Sequence, residues 1–359
     1  MYILNIGVSS SCWRGMKMRA MVVNNWGDSF KLETRDNPEP GPGEAVMKVR
    51  AAGVGLTLVT MRTGVFGGEA PRVMGHELGG DIVAVGDGVT NVSIDDRCAV
   101  YFYLNCGHCR WCRNGRETLC ENSGGYVGVH RDGGYADYVC LPADNFLVIP
   151  EGLDYEGAAI AADAVNTPWH CMRERAKINP HDDVLIVGAG GGVGIHGVQV
   201  AKLFGARVIA ADISEAKLNL AQEWGADEVI NVREINDFTS EIKKLTDGKG
   251  VDAAVDFHGA PETFQSCVDS LATAGRAVII GAHPGDIKIN PINLLVTEQI
   301  VTGSRHSTRA ELIETMDVMA RGVIKPVIGK RVHFTEVETL FQDLIAQDLL
   351  GRGGLIYDD

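Results

Sequence analysis

Val184-Leu-Ile-Val-Gly-Ala-Gly-Gly-Gly-Val-Gly194 carries four apolar residues into a glycine string. The apolar run predicts a short buried strand, and the residues from Gly192 to Phe204 predict a helix directly after it. Gly188, Gly190, Gly191, Gly192 and Gly194, with Val193 between them, let the backbone turn tightly. They also let an anion approach the helix N-terminus, where free amides and the helix dipole favour negative charge. A strand, loop and helix in this order suit the pyrophosphate of a dinucleotide. Asp212 closes the next apolar run, ARVIAAD, at the separation of about 20 residues that suits a carboxylate accepting hydrogen bonds from an adenosine ribose. Its charge would repel a 2′-phosphate, so NAD(H) is favoured over NADP(H). The competing reading of Asp212 is a cap for the next helix.

Working outward, ARVIAAD, a helix from Ser214 to Trp224, DEVIN, VDAAVDF, GRAVIIG and QIVTGS come after the glycine loop. Apolar strands alternating with amphipathic helices predict a parallel, doubly wound sheet, an α/β fold. Upstream, from Ala20 to about Pro150, the pattern differs. AMVV, EAVMKVRAAGV, GGDIVAVGDGV, RCAVYFY and YADYVCL are short β-rich runs broken by Gly and Pro, which predicts an irregular β domain. The chain ends in a helical stretch, Arg309 to Arg321, and a strand within GGLIYDD.

Cys106-x2-Cys109-x2-Cys112-x7-Cys120 is the densest chemical signal in the chain. Four thiolates on one small lobe close a tetrahedral zinc site with no open position, which makes such a site structural. Gly107, Asn114 and Gly115 permit the turns between ligands. A four-iron cluster is the competing occupant. Cys12, Cys98, Cys140, Cys171 and Cys267 are scattered, and most read as small buried hydrophobes.

At 359 residues, two domains are expected rather than one core. The formal charge of −14 argues against nucleic acid or an anionic membrane as partner. No stretch approaches the roughly 20 apolar residues of a membrane-spanning helix. The N-terminal run MYILNIGV lacks the basic flank of a secretory signal. Residues 1–17 therefore read as an extension, and the expected location is cytoplasmic.

The β domain, the cysteine lobe and the later nucleotide domain together resemble the medium-chain dehydrogenase/reductase superfamily, in its zinc-containing alcohol dehydrogenase branch. MGHELGGDIVAVGDGV, DGGYADYV and VLIVGAGGGVGIHGVQVAKLFGA carry the likeness, which covers the chain from Met18 to its end. It implies a GroES-like catalytic domain over residues 18–165, holding the structural zinc lobe at about 104–121. A Rossmann domain over 166–304 and a return to the catalytic domain over 305–359 complete it. The likeness also implies an active site in the cleft between the domains, and a homodimer or homotetramer. Arg352 falls where a C-terminal arginine of the family contacts the cofactor pyrophosphate; a solvated surface arginine is the alternative.

The sequence departs from the family at the catalytic metal. Gly55 stands where a cysteine ligand is expected, and Leu58 where an aspartate supports the metal-binding histidine. His76 keeps the histidine position, followed by Glu77; Asp163 matches the third ligand, and Thr57 the hydroxyl that binds the substrate oxygen and passes a proton. Two readings stay open. In one, His76, Asp163 and Glu77 still hold a zinc that polarises an alcohol/carbonyl pair for hydride exchange. In the other, no metal is held, and an activated carbon–carbon double bond is reduced. His76 as a core histidine and Asp163 as a helix cap are the plain alternatives. A cofactor-binding protein without catalysis is the third hypothesis. The substrate is expected to be a small, apolar molecule, with Leu56, the segment Met61 to Phe66, Trp169 and the 280s loop around it.

Overall fold

The strand Asp183–Val187 sits inside a six-stranded parallel sheet, as the computed structural model describes it over residues 15–358. Arg207–Asp212 and then Glu228–Asn231 extend the sheet on one side; Val251–Asp256, Leu271–Ile279 and Ile300–Gly303 extend it on the other. The order of addition reverses beside Asp183–Val187, so the carboxyl ends of that strand and of Val251–Asp256 open a crevice. Successive residues of the central strand point to opposite faces, and both faces are covered. Val184 and Ile186 join the main core, while Leu185 and Val187 join a second core with Ile209, Ile242 and Phe264. That is why the run is apolar throughout instead of alternating.

The helix Gly194–Leu203 is buried at every position from Gly194 to Ala201. It packs on the sheet with one side and on the helical segment Asn166–His170 with the other. An amphipathic stripe would leave one of those contacts polar.

The β domain is built on the long strand Glu44–Val54, which pairs antiparallel with Leu78–Val85, Tyr138–Pro142 and Arg352–Ile356. Residues from the end of the chain thus complete the first domain's sheet, with Ile328–His333 beside them. A three-stranded sheet begins at Lys17, whose strand Lys17–Val23 pairs with Lys31–Asp36, starting upstream of the apolar run AMVV. The expected extension therefore ends before Lys17, and residues 1–14 of it lie outside the described residues. The helix expected near the end of the chain runs Arg309–Ala320, closed at its start by Thr308 and Glu311 in a reciprocal cap, and a further helix, Val337–Ala346, follows it.

Between the two halves, a helical run over 155–175 widens twice to i→i+5 bonding, at Ala161–Val165 and Cys171–Arg175. Asp163 lies in the first widened turn. Such turns insert a residue and swing side chains off the regular helical face.

Candidate active site

The glycine loop is shaped for close approach. Gly188 has φ +75, and a Cβ at Gly190 would lie 2.4 Å from Lys217 Cβ. At Gly194 an added Cβ would lie 2.1 Å from the Gly188 carbonyl oxygen, so the turn into the helix closes only with glycine there. Asp212 is buried; its carboxylate accepts the Gly190 amide at 2.9 Å and the Ile213 amide at 2.7 Å. The cap position of the next helix belongs to Ser214. Asp212 therefore braces the loop, and it also lines the cleft. His196 fixes the loop from below: Nδ1 lies 2.7 Å from the Gly192 carbonyl oxygen, and Nε2 accepts the Val327 amide at 3.0 Å. These partners require the neutral ring, protonated at Nδ1, and burial pulls its pKa down to about 4.

The cysteine lobe brings four Sγ atoms together. Cys106–Cys120 and Cys109–Cys112 are 3.5 Å apart, Cys106–Cys112 and Cys109–Cys120 4.0 Å. A tetrahedron with zinc–sulfur bonds of about 2.3 Å has edges of about 3.8 Å, so the donor set fits a zinc ion. The Cys106 and Cys109 amides point at Cys120 and Cys106 sulfurs at 3.3 and 3.4 Å, which suits thiolates.

At the centre of the cleft lies a buried polar cluster. Arg352, 2% exposed, donates from Nε to Glu77 at 3.1 Å and from Nη2 to Asp163 at 3.0 Å, with a further bond from Nη2 to Glu77. The surface reading of Arg352 is thereby excluded. Its guanidinium faces two carboxylates beneath the glycine loop, and a Cβ at Gly192 would lie 2.7 Å from its Cδ. Three glycines leave room for this pair. A Cβ at Gly53 would lie 1.7 Å from Glu77 Oε2, and a Cβ at Gly55 2.0 Å from Arg352 Nη1.

His76 Nε2 is 3.6 Å and His306 Nδ1 3.5 Å from the Asp163 carboxylate, which also accepts the Thr167 hydroxyl at 2.6 Å. Asp163 is a hub, not a helix cap. Burial pushes its carboxyl up, but His306, His76 and the Arg352 charge outweigh burial and hold it well below the usual range. Burial and the neighbouring Asp163 charge push Glu77 up to about 8 against the pull of Arg352.

A cleft of about 1010 Å³ joins this cluster to the glycine loop and Asp212. Thr57 stands in its wall on the first turn of the helix Leu56–Arg62, exposed, beside Leu56. Met61, Phe66 and Ile280 contribute to its apolar lining. Trp169 does not: it is buried against Phe204, ring centroids 5.4 Å apart, away from the cleft. The widened turn upstream rotates it toward the core.

Residues 41–151 match the alcohol dehydrogenase GroES-like domain, and residues 192–321 match the zinc-binding dehydrogenase family. The chain belongs to the zinc-containing alcohol dehydrogenase family. As a member it is an oxidoreductase, built from a GroES-like domain and a Rossmann domain. It is 33% identical to the NAD-dependent alcohol dehydrogenase of Sulfurisphaera tokodaii over 94% of this chain and all of that one. It is 30% identical to the acryloyl-coenzyme A reductase of Metallosphaera sedula, over 93% of this chain and 98% of that protein. The solved structure of AibC superposes with a TM-score of 0.90 at 34% identity, covering 98% of this chain and 99% of that one. No described helix is long and apolar enough to cross a membrane.

Within this family the cluster reads differently from a zinc site. His76, Glu77 and Asp163 do bring donor atoms within 4.8 Å of one another. Glu77 and one Asp163 oxygen, however, already hold a guanidinium, and Gly55 offers no donor. A dication at about 4 Å from that guanidinium would be repelled by roughly 8 kcal/mol at an effective dielectric near 20. The residues do not fit a catalytic zinc while Arg352 stays in place. The sequence does not single out His306, Thr167 or Arg305. The signal available for two of them is a polar string, Ser304-Arg-His-Ser-Thr308, straight after an apolar strand.

Proposed function

We propose that the enzyme transfers hydride between NAD(H) and a small carbonyl-bearing substrate without a metal at the active site. The acceptor the geometry favours is the β-carbon of a conjugated carbonyl compound. The observation that carries this reading is the Arg352 guanidinium, which lies against Gly55 where a ligand side chain would stand. A bound reduced nicotinamide supplies hydride to the β-carbon, and a proton at the α-carbon completes the reduction.

The chain's own groups do the rest. The amides of the loop Gly188–Gly194 and the helix behind it receive the pyrophosphate. Asp212 receives the ribose hydroxyls and disfavours a 2′-phosphate. Thr57 and His76 are the donors for the carbonyl oxygen, where charge gathers as hydride arrives. His76 lines the cleft; its Nε2 lies 3.6 Å from the Asp163 carboxylate, and its Nδ1 is buried without a hydrogen-bond partner among the described residues. Glu77, Asp163 and Arg352 hold His76 and the loop in one rigid frame.

The alcohol/carbonyl pair is the second reading. The retained Thr57, His76 and Asp163 favour it, as do the alcohol dehydrogenases among the relatives. NADH oxidation with cyclohexenone and with benzaldehyde, before and after chelation, tests the choice. Chelator-resistant enone reduction supports the first; aldehyde reduction lost with the metal would overturn it.

The reading includes a structural zinc on Cys106, Cys109, Cys112 and Cys120, and a cytoplasmic setting, since four free thiols persist under reducing conditions. It includes a homo-oligomer. Ile292, Leu295 and Val296 are exposed together beside the edge strand Ile300–Gly303, an apolar face that a second copy would cover. Light scattering after gel filtration reads the mass directly.

A further inference from the structure

Tyr103–Leu104 pairs with Gly125–Tyr126 as a two-stranded ribbon at the foot of the cysteine lobe, and its register sets Tyr103 directly opposite Tyr126. Their rings meet edge to face at 5.0 Å, and Tyr126 meets Phe66 the same way at 6.2 Å. Arg305 lies against both tyrosines. Its Cζ is 5.6 Å from the Tyr103 ring centre and 5.9 Å from that of Tyr126, and Nη2 donates to the Tyr126 hydroxyl. Tyr103, Tyr126, Phe66 and Arg305 all line the cleft that holds Thr57 and Asp163.

The cleft has two guanidiniums, and they differ in one respect. Arg352 is neutralised by Glu77 and Asp163. Arg305 makes no ion pair among the described residues; its contacts are aromatic faces and a hydroxyl. Cation–π contact orients a guanidinium without cancelling its charge or occupying its in-plane donors. Most of the five N–H groups therefore remain for a ligand. A chain with formal charge −14 repels anions at large, so an unpaired cation on the exposed wall of the cleft selects for one. The next residue, His306, stacks on Tyr103 at 5.2 Å and reaches Asp163, so the cation borders the reacting end of the cleft.

We propose that Arg305, framed by Tyr103 and Tyr126, is a specificity-determining residue that binds an oxyanion on the substrate, a carboxylate or a phosphate remote from the carbon that accepts hydride. The substrate class is then an anionic conjugated carbonyl compound with an apolar stretch between its two functional ends. Leu56, Met61 and Phe66 supply the apolar wall for that stretch. This rests on the hydride-transfer reading of the cleft, but recognition is an equilibrium property and is measured apart from turnover.

The test is calorimetric titration of the NAD-saturated full-length enzyme with 4-phenylbutyrate, 3-phenylpropyl phosphate and the uncharged 4-phenylbutyramide. At least one anion is expected to bind about tenfold or more tighter than the amide, the scale of a charge-assisted hydrogen bond. The tighter of the two names the source of the oxyanion. Arg305→Gln is expected to erase the preference while amide affinity stays unchanged, which shows an intact pocket. Arg305→Lys keeps part of it, having charge without the planar fork. Equal affinity for anions and amide in the wild type, or a preference that survives Arg305→Gln, overturns the proposal. Failure of enone reduction, with the anion preference intact, would instead count against the double-bond chemistry alone.

Discussion

Gly55→Ala is the smallest change that probes how Arg352 is housed. Gly55 has φ −133 and ψ 169, an extended conformation open to any residue, so the backbone imposes no penalty. The added methyl carbon, however, would lie 2.0 Å from Arg352 Nη1, 2.2 Å from Cζ and 2.5 Å from Nη2. Ordinary contact begins near 3.4 Å, so the guanidinium must retreat by roughly 1.4 Å. Bonds of 3.1 Å to Glu77 and 3.0 Å to Asp163 do not survive that displacement. Breaking one side of a buried ion pair costs about 3–5 kcal/mol, and Gly55→Ala is expected to lose that much stability. In an Arg352→Met background the obstruction is gone, and the same change should cost under about 1 kcal/mol. Urea unfolding of wild type, both single variants and the double variant, monitored by tryptophan fluorescence, closes the cycle. Additive losses, or a Gly55→Ala cost near zero in the wild type, would refute the packing argument.

Thr57→Val should lower turnover at least about tenfold, the usual range for a lost proton-handling group; unchanged kcat would remove Thr57 from the reaction. Asp212→Ala should narrow the preference for NADH over NADPH in paired titrations, and an unaltered ratio would count against its ribose role. His196 binds its proton more weakly when folded, with a pKa of about 4 against an ordinary 6.5. Its contribution is therefore complete above about pH 6.5 and declines as pH falls toward 4, by on the order of 3 kcal/mol in all. The stability gap between wild type and His196→Gln should shrink across that window; a constant gap would refute the assignment.

The features legible in the sequence are those whose parts lie close along the chain. The glycine loop, its strand and Asp212 fall within 30 residues, and the four cysteines within 15. Each is a local geometry with a fixed spacing, so residue types alone announce it. The cleft is harder to read because its partners are distant. Arg352 is 275 residues from Glu77 and 189 from Asp163, and nothing near position 352 reports a carboxylate. The return of the last strand beside Glu44–Val54 carries it there. Trp169 departs from expectation for a different reason: one extra residue in a helical turn rotates the downstream side chains by roughly 100°. At Gly55 the residue type shows the loss of a ligand. That the vacated space admits a guanidinium depends on an arginine at the far end of the chain.

Whether Arg352 or a second zinc occupies the cleft is read from zinc content per chain, measured by plasma mass spectrometry on protein purified without chelator or metal affinity resin, alongside Cys112→Ser. About one zinc per chain is expected in the wild type and near none in the variant, since only the cysteine lobe fits the ion. Two per chain, with one retained in Cys112→Ser, would place a metal among His76, Glu77 and Asp163 and contradict the claim that Arg352 holds that space.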